Sequence, residues 1–225
     1  LWNVMSATLE PDAPTPAAVV WDPSLLRYRF NAEHPMAPLR LDLTHRLVDA
    51  LGLLDAPHVS ILQPPVATDG ELAAVHGREY IAAVRAASAQ TSSDDAAHGL
   101  GTEDCPVFPD LHESAARIAG GSLVAAEAIW SGRVSRAVNF AGGMHHAARD
   151  KASGFCIYND CAVAIQRLLD LGAERVAYVD VDAHHGDGTQ AIFYDDPRVL
   201  TISVHETGMS LFPGTGFANE TGGPA

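Results

Sequence analysis

Apolar and polar residues alternate in two rhythms along this chain, and each rhythm predicts a different element. Short apolar runs at Ala137–Phe140, Arg175–Asp182 and Val199–Val204 read as strands, with Ala18–Trp21 a further one near the start. The stretch Tyr158–Leu171 carries Cys161, Val163, Ala164, Leu168, Leu169 and Leu171 at helical spacing, and Gly172 closes it as a C′ residue. Leu39–Leu54 reads as an amphipathic helix with Leu43, Leu47, Leu51 and Leu54 on one stripe. Leu111–Trp130 reads as a long helix, with close packing expected at Gly120-Gly121. Thr68-Asp69-Gly70-Glu71 fits a capping box before Leu72–His76. Residues 1–16, rich in Pro and Ala, read as a loose arm, and Ala89–Thr102 as a polar, flexible stretch. A strand, a helix and a second strand of these lengths predict a right-handed parallel crossover, and so an α/β fold.

Polar clusters follow the strands. Tyr178 to Gly188 opens as a buried strand and ends with Asp180, Asp182, His184, His185 and Asp187. Side chains two apart on an extended segment point the same way, so Asp180, Asp182 and His184 converge on one face if the extension continues to His184. An Asp and a His so spaced suit one hard or borderline metal ion, whereas two unpaired carboxylates in an apolar strand would cost several kcal/mol to bury. Upstream, Gly142-Gly143 leads into His145-His146, each free to pair with a different acid, and Asp180 and Asp187 are both available. Ser203 and His205 end the third strand in the same way. Open α/β sheets bind ligands beyond the carboxyl ends of their strands, where all three clusters fall. The bland alternatives are exposed charges in a loop and a surface His-His pair. His45 reads as a surface or packing histidine, His98 as a solvated one and His112 as a surface residue.

Several of these segments together resemble the zinc-dependent histone deacetylase superfamily: Gly142-Gly143-Met144-His145-His146-Ala147, Ala152-Ser153-Gly154-Phe155-Cys156, Asn159-Asp160, Asp180-Val181-Asp182-Ala183-His184-His185-Gly186-Asp187-Gly188, Phe212-Pro213-Gly214-Thr215-Gly216, and His34-Pro35-Met36 followed by Arg40. The motifs occur in family order from about Val19 onward, and among bacterial members the likeness is greatest to the acetoin-utilisation type. The resemblance implies a three-layer αβα fold of the arginase/deacetylase kind, with a mainly parallel central sheet, over residues 17–225. It implies that Asp182 and His184 are two of three zinc ligands, that His146 is the general base with Asp187 as its partner, and that His145 is a second active-site histidine with Asp180 as its partner. Gly154, Phe155 and Met144 would wall an acyl-lysine tunnel, Asp104 would hold the substrate backbone at the rim, and Arg40 would lie below, near an acetate exit. Asp180, Asp182, His184, Ser203 and Val204 would form an inner K+ or Na+ site, largely through backbone oxygens. The third ligand and an oxyanion-binding tyrosine of the family have no counterpart before Ala225, which implies a fold truncated on its C-terminal side. Leu1-Trp2-Asn3-Val4 before the first Met fit the same expectation.

Composition narrows the partners. The 225 residues are 47% hydrophobic, with mean hydropathy +0.04 and a formal net charge of −14. That balance disfavours a nucleic-acid surface and favours basic, lysine-bearing substrates. No apolar run reaches the roughly 18 residues a membrane span needs, and no basic-then-apolar leader opens the chain, so a cytoplasmic enzyme is expected. Cys105, Cys156 and Cys161 lack Cys-x-x-Cys spacing and read as small packed thiols. The reading is zinc-dependent hydrolysis of acetyl-lysine in proteins, with Fe(II) as an alternative metal. By resemblance the substrate is an acyl-CoA synthetase in acetoin and acetate metabolism. An acetylpolyamine-type amidohydrolase and a non-catalytic acyl-binding fragment stay open.

Overall fold

The structure, a computed structural model, describes residues 15–89 and 95–223. Of the expected arm, residues 1–14 lie outside the described residues, as do residues 90–94 of the polar stretch and residues 224–225. Among the described residues there are five strands: β1 (Ala17–Val20), β2 (Val59–Leu62), β3 (Arg136–Asn139), β4 (Val176–Asp180) and β5 (Val199–Ser203). All pair in parallel, in two hydrogen-bonded sets ordered β2-β1-β3 and β4-β5. Ala17 sits opposite both Val59 and Arg136, and Val176 opposite Val199. The parallel α/β expectation holds, but the crossover falls elsewhere. β3 and β4 belong to different sets, and the adjacent parallel strands are β1 with β2, β1 with β3, and β4 with β5.

The helices are α1 (Leu39–Ala50), α2 (Asp69–Leu72), α3 (Arg78–Ala89), α4 (Leu111–Trp130), α5 (Asp160–Asp170) and α6 (Asp187–Ile192). α4 lies over β1, β2 and β3 and packs against α5, which covers β4. Alternation then sorts each strand. Ala18 and Val20 are buried beneath α4 with Ala125 and Ala128, while Val138, Val179, Leu200 and Ile202 on the opposite face are exposed among the described residues. Gly120 is where α4 meets the loop after β2. A Cβ there would lie 1.9 Å from the Pro65 carbonyl oxygen, so only glycine permits the approach. The core beside it holds Leu25, Leu72, Tyr80, Leu100, Leu111, Ile118, Ile157 and Tyr158, and burying each large aliphatic contributes about 1.5–3 kcal/mol.

Thr68 and Glu71 form the expected capping box, closing the single turn α2 rather than a helix over Leu72–His76. The leucine stripe of α1 does not face the core. Leu43, Leu47 and Leu51 are more than half exposed, and the helix instead buries Leu41 and stacks His45 on Trp21 at 4.0 Å. His112 is not a surface residue. It is buried, with Nδ1 2.9 Å from the Tyr158 hydroxyl. His98 is half-buried against Asp95.

Candidate active site

Two polar hubs shape the loop after β3. Asp160, fully buried at the start of α5, accepts from the backbone N–H of Met144 at 2.7 Å and of Gly143 at 3.3 Å and from the Ser122 hydroxyl. Burial pushes its pKa up against those hydrogen bonds. The glycine turn is thus bent around a carboxylate. Next to it, Asn159 caps α5 by accepting from the Ala162 N–H, and its amide donates to the His145 carbonyl at 3.2 Å and the Ala147 carbonyl at 2.9 Å. Asn159 is 0% exposed, so each bond is made out of reach of water. The backbone on either side of His146 is clamped by one side chain.

The clamped histidines lie side by side, ring centroids 4.1 Å apart. His145 Nδ1 is 2.6 Å from Asp180 and His146 Nδ1 is 2.7 Å from Asp187, the pairs the resemblance names. A carboxylate at Nδ1 fixes the proton there and leaves Nε2 as the acceptor. Asp180 also accepts from the Tyr178 hydroxyl and the Asp182 N–H. Burial disfavours charge on His145 and on Asp180. For His145 the hydrogen bond to Asp180 and the charges of the neighbouring acids outweigh burial, so it titrates above the usual histidine range; for Asp180 the hydrogen bonds from His145, Tyr178 and the Asp182 N–H outweigh it, so it titrates below the usual carboxylate range.

β4 stops at Asp180, because that side chain takes the Asp182 N–H and turns the chain. The extension through His184 on which a shared face for Asp180, Asp182 and His184 depended does not occur, and Asp180 turns inward while Asp182 and His184 point out together. Asp182 Oδ1 accepts from the His184 N–H at 2.8 Å and lies 3.0 Å from His184 Nδ1. Two donors on a tetrahedral ion with bonds of about 2.1 Å would be about 3.4 Å apart, so this half-exposed pair fits part of a zinc or ferrous centre. Among the described residues no group of three or more His, Cys, Asp or Glu side chains is gathered to hold a metal ion. Two of the oxygens on the residues named for a monovalent cation have partners within the protein. The Asp180 carbonyl accepts from the Val204 N–H and the Ser203 hydroxyl meets His205 Nδ1.

These groups open onto one cavity of about 600 Å³, whose lining includes Arg40, Asp104, Met144, His145, His146, Gly154, Phe155, Asp182 and His184. Phe212, Pro35, Met36 and Cys156 line it too, and the sequence reading had not given them a role. Phe212 is 4.9 Å from His146, ring to ring, and only its Phe-Pro-Gly motif hinted at it. Asp104 stands at the rim, where its carboxylate accepts from the Gly154 N–H at 2.6 Å. Cys156 and Cys105 are buried, which pushes both thiols up, Cys105 to about 12, so neither is a nucleophile.

Gly154 has φ +54°, and a Cβ on it would lie 2.3 Å from Cδ2 of His146. Gly154→Ala is expected to cost about 1–3 kcal/mol of folding stability, read from urea denaturation. An unchanged midpoint would show that the His146 ring can give way.

Comparison with known proteins agrees with this geometry. Residues 34–225 match the histone deacetylase domain family. The chain is 47% identical over 205 residues to the acetoin utilization protein AcuC of Bacillus subtilis (strain 168), covering 90% of this chain and 52% of that protein. It is 45% identical over 207 residues to AcuC of Staphylococcus aureus (strain MSSA476) and 44% identical over 205 residues to AcuC of Staphylococcus xylosus, covering 91% and 90% of this chain and 53% of each relative. The chain spans about half the length of the curated relatives it matches.

Proposed function

The chain belongs to the histone deacetylase family, and on that premise we propose that the protein hydrolyses the amide bond of acetyl-lysine in proteins, releasing acetate. The observation that carries the reading is the convergence of two His–Asp pairs with Asp182 and His184 on a single cavity. Asp182 and His184 would hold a divalent ion, zinc in this reading. The chemistry supplied by such an ion is polarisation of the amide carbonyl and acidification of the attacking water.

The remaining work falls to this chain's own side chains. His146 Nε2, free because Nδ1–H is spent on Asp187, takes a proton from water and returns one to the departing lysine amine. His145, oriented by Asp180 through Nδ1, supplies a second hydrogen-bonding imidazole beside it. Phe155 and Phe212 offer apolar walls to the neutral acyl-lysine stem. The net charge of −14 favours basic, lysine-bearing partners. The substrate in this reading is an acyl-CoA synthetase in acetoin and acetate metabolism, met in the cytoplasm.

The test is acetate release from an acetyl-lysine peptide by the whole protein, with zinc measured on the same sample. Asp182→Ala is expected to weaken zinc binding by roughly 100-fold or more. Unchanged zinc stoichiometry in that variant would remove Asp182 from the ligand set, and a zinc-loaded wild type that releases no acetate would sink the deacetylase reading.

A further inference from the structure

Phe155, on the wall of the cavity, has φ +69°, a left-handed backbone that a bulky residue adopts only when its surroundings impose it. Two contacts from distant segments do so. The Tyr28 hydroxyl donates to the Phe155 carbonyl at 2.6 Å, and the Gly154 N–H just before it donates to Asp104 at 2.6 Å. His34 braces the second contact. Its Nδ1 accepts from the Met36 N–H at 3.1 Å, so Nε2 carries the proton and donates to the Asp104 carbonyl at 3.4 Å. The same ring meets Phe155 edge-on at 4.5 Å.

Tyr28 has no freedom of its own. It is 4% exposed and packs edge-to-face on Phe30 at 5.3 Å and Phe108 at 5.7 Å. Burial pushes its phenol well above the usual tyrosine range, so the hydroxyl keeps its proton and acts as a fixed donor. Without it the Phe155 carbonyl would lose a buried partner, and one of the two contacts that oppose relaxation of the segment toward ordinary backbone angles would be gone.

We infer that Tyr28 is a positioning residue that holds Phe155 in its left-handed conformation and thereby sets which acyl chains the cavity admits. The selectivity half rests on the deacetylase reading of the site. A cavity wall that shifts by less than a methylene changes discrimination between acyl groups, because a single methylene in an apolar pocket is worth about tenfold or more.

Two measurements on the whole protein and its Tyr28→Phe variant decide this. Hydrogen exchange at the Phe155 and Cys156 amides needs no turnover, and it should quicken by about fivefold in the variant, the size of one hydrogen bond's loss. Unchanged exchange overturns the positioning role. With zinc-loaded enzyme and one peptide sequence, kcat/KM for butyryl-lysine relative to acetyl-lysine should change by about tenfold, with the shape of the acetyl pH profile preserved. An equal fall for both substrates would mean Tyr28 is merely structural, and overturns the selectivity role. If neither protein released any acyl group, the deacetylase reading and the selectivity role would fall together, while the exchange result would still decide the positioning role.

Discussion

Replacing His146 by alanine in the whole protein is expected to lower kcat on an acetyl-lysine peptide by roughly 10²–10⁴-fold and to leave zinc stoichiometry unchanged. The asymmetry follows from where the nitrogens face. His146 Nδ1 is committed to Asp187 at 2.7 Å, and the imidazole is 5.8 Å from His184 by ring centroids, beside the Asp182–His184 pair rather than within it. In the proposed mechanism, deleting the ring removes a proton carrier but no ligand. Asp187 is the second arm of the test. Its carboxylate is the reason the proton sits on Nδ1, so loss of that charge lets the ring choose the wrong tautomer and should also lower kcat. Steady-state rates and metal analysis on one preparation check both points. Full activity in the alanine variant would remove His146 as the base, and a fall in zinc would make it a ligand instead.

The limits of the sequence show in particular residues. α4 could be read in full, Leu111–Trp130, because apolar spacing and its glycine pair are local signals. The capping box at Thr68 and the C′ glycine of α5, Gly172, were legible for the same reason. Periodicity, however, tells which residues share a face and not what that face meets. The leucines of α1 form a perfect stripe and yet stay exposed, while the core takes Leu41 from another side of the helix. Strand ends were overrun by two residues at Asp180–Asp182, because a side chain accepting its own chain's N–H two residues on halts an extended run without any change in hydropathy.

The site divides in the same way. The resemblance named the histidine–carboxylate pairs and the Asp182–His184 pair residue by residue, and the structure brings each together. What supports them came from contacts far apart in sequence. Asn159 and Asp160 carried no role in the reading beyond their place in a motif, yet between them they hold the backbone from Gly143 to Ala147. His76 was part of an expected helix end and proves to be the support of Asn159 across 83 positions of chain.

That support should make stability depend on pH with a sign unusual for a hydrogen-bonded histidine. His76 is 1% exposed, its Nδ1 faces the Arg149 carbonyl at 3.1 Å, and its Nε2 accepts from the Asn159 N–H at 3.0 Å. An acceptor Nε2 has no room for a proton, so the ring is neutral, and burial lowers its pKa from 6.5 to about 4. The unfolded chain therefore binds a proton between those two values that the folded protein refuses. The full stability is present above the unfolded pKa and is lost as pH falls through that window, by about 3 kcal/mol from this one group. His76→Gln keeps an acceptor and a donor without titrating. Urea denaturation of both proteins at pH 7 and pH 4 is expected to show the wild type losing about 3 kcal/mol more than the variant over that range. Equal losses would mean that His76 takes up its proton in the fold. The Asn159 N–H would then lack its acceptor in acid, and the clamp on His145 and Ala147 would have to stand without its brace.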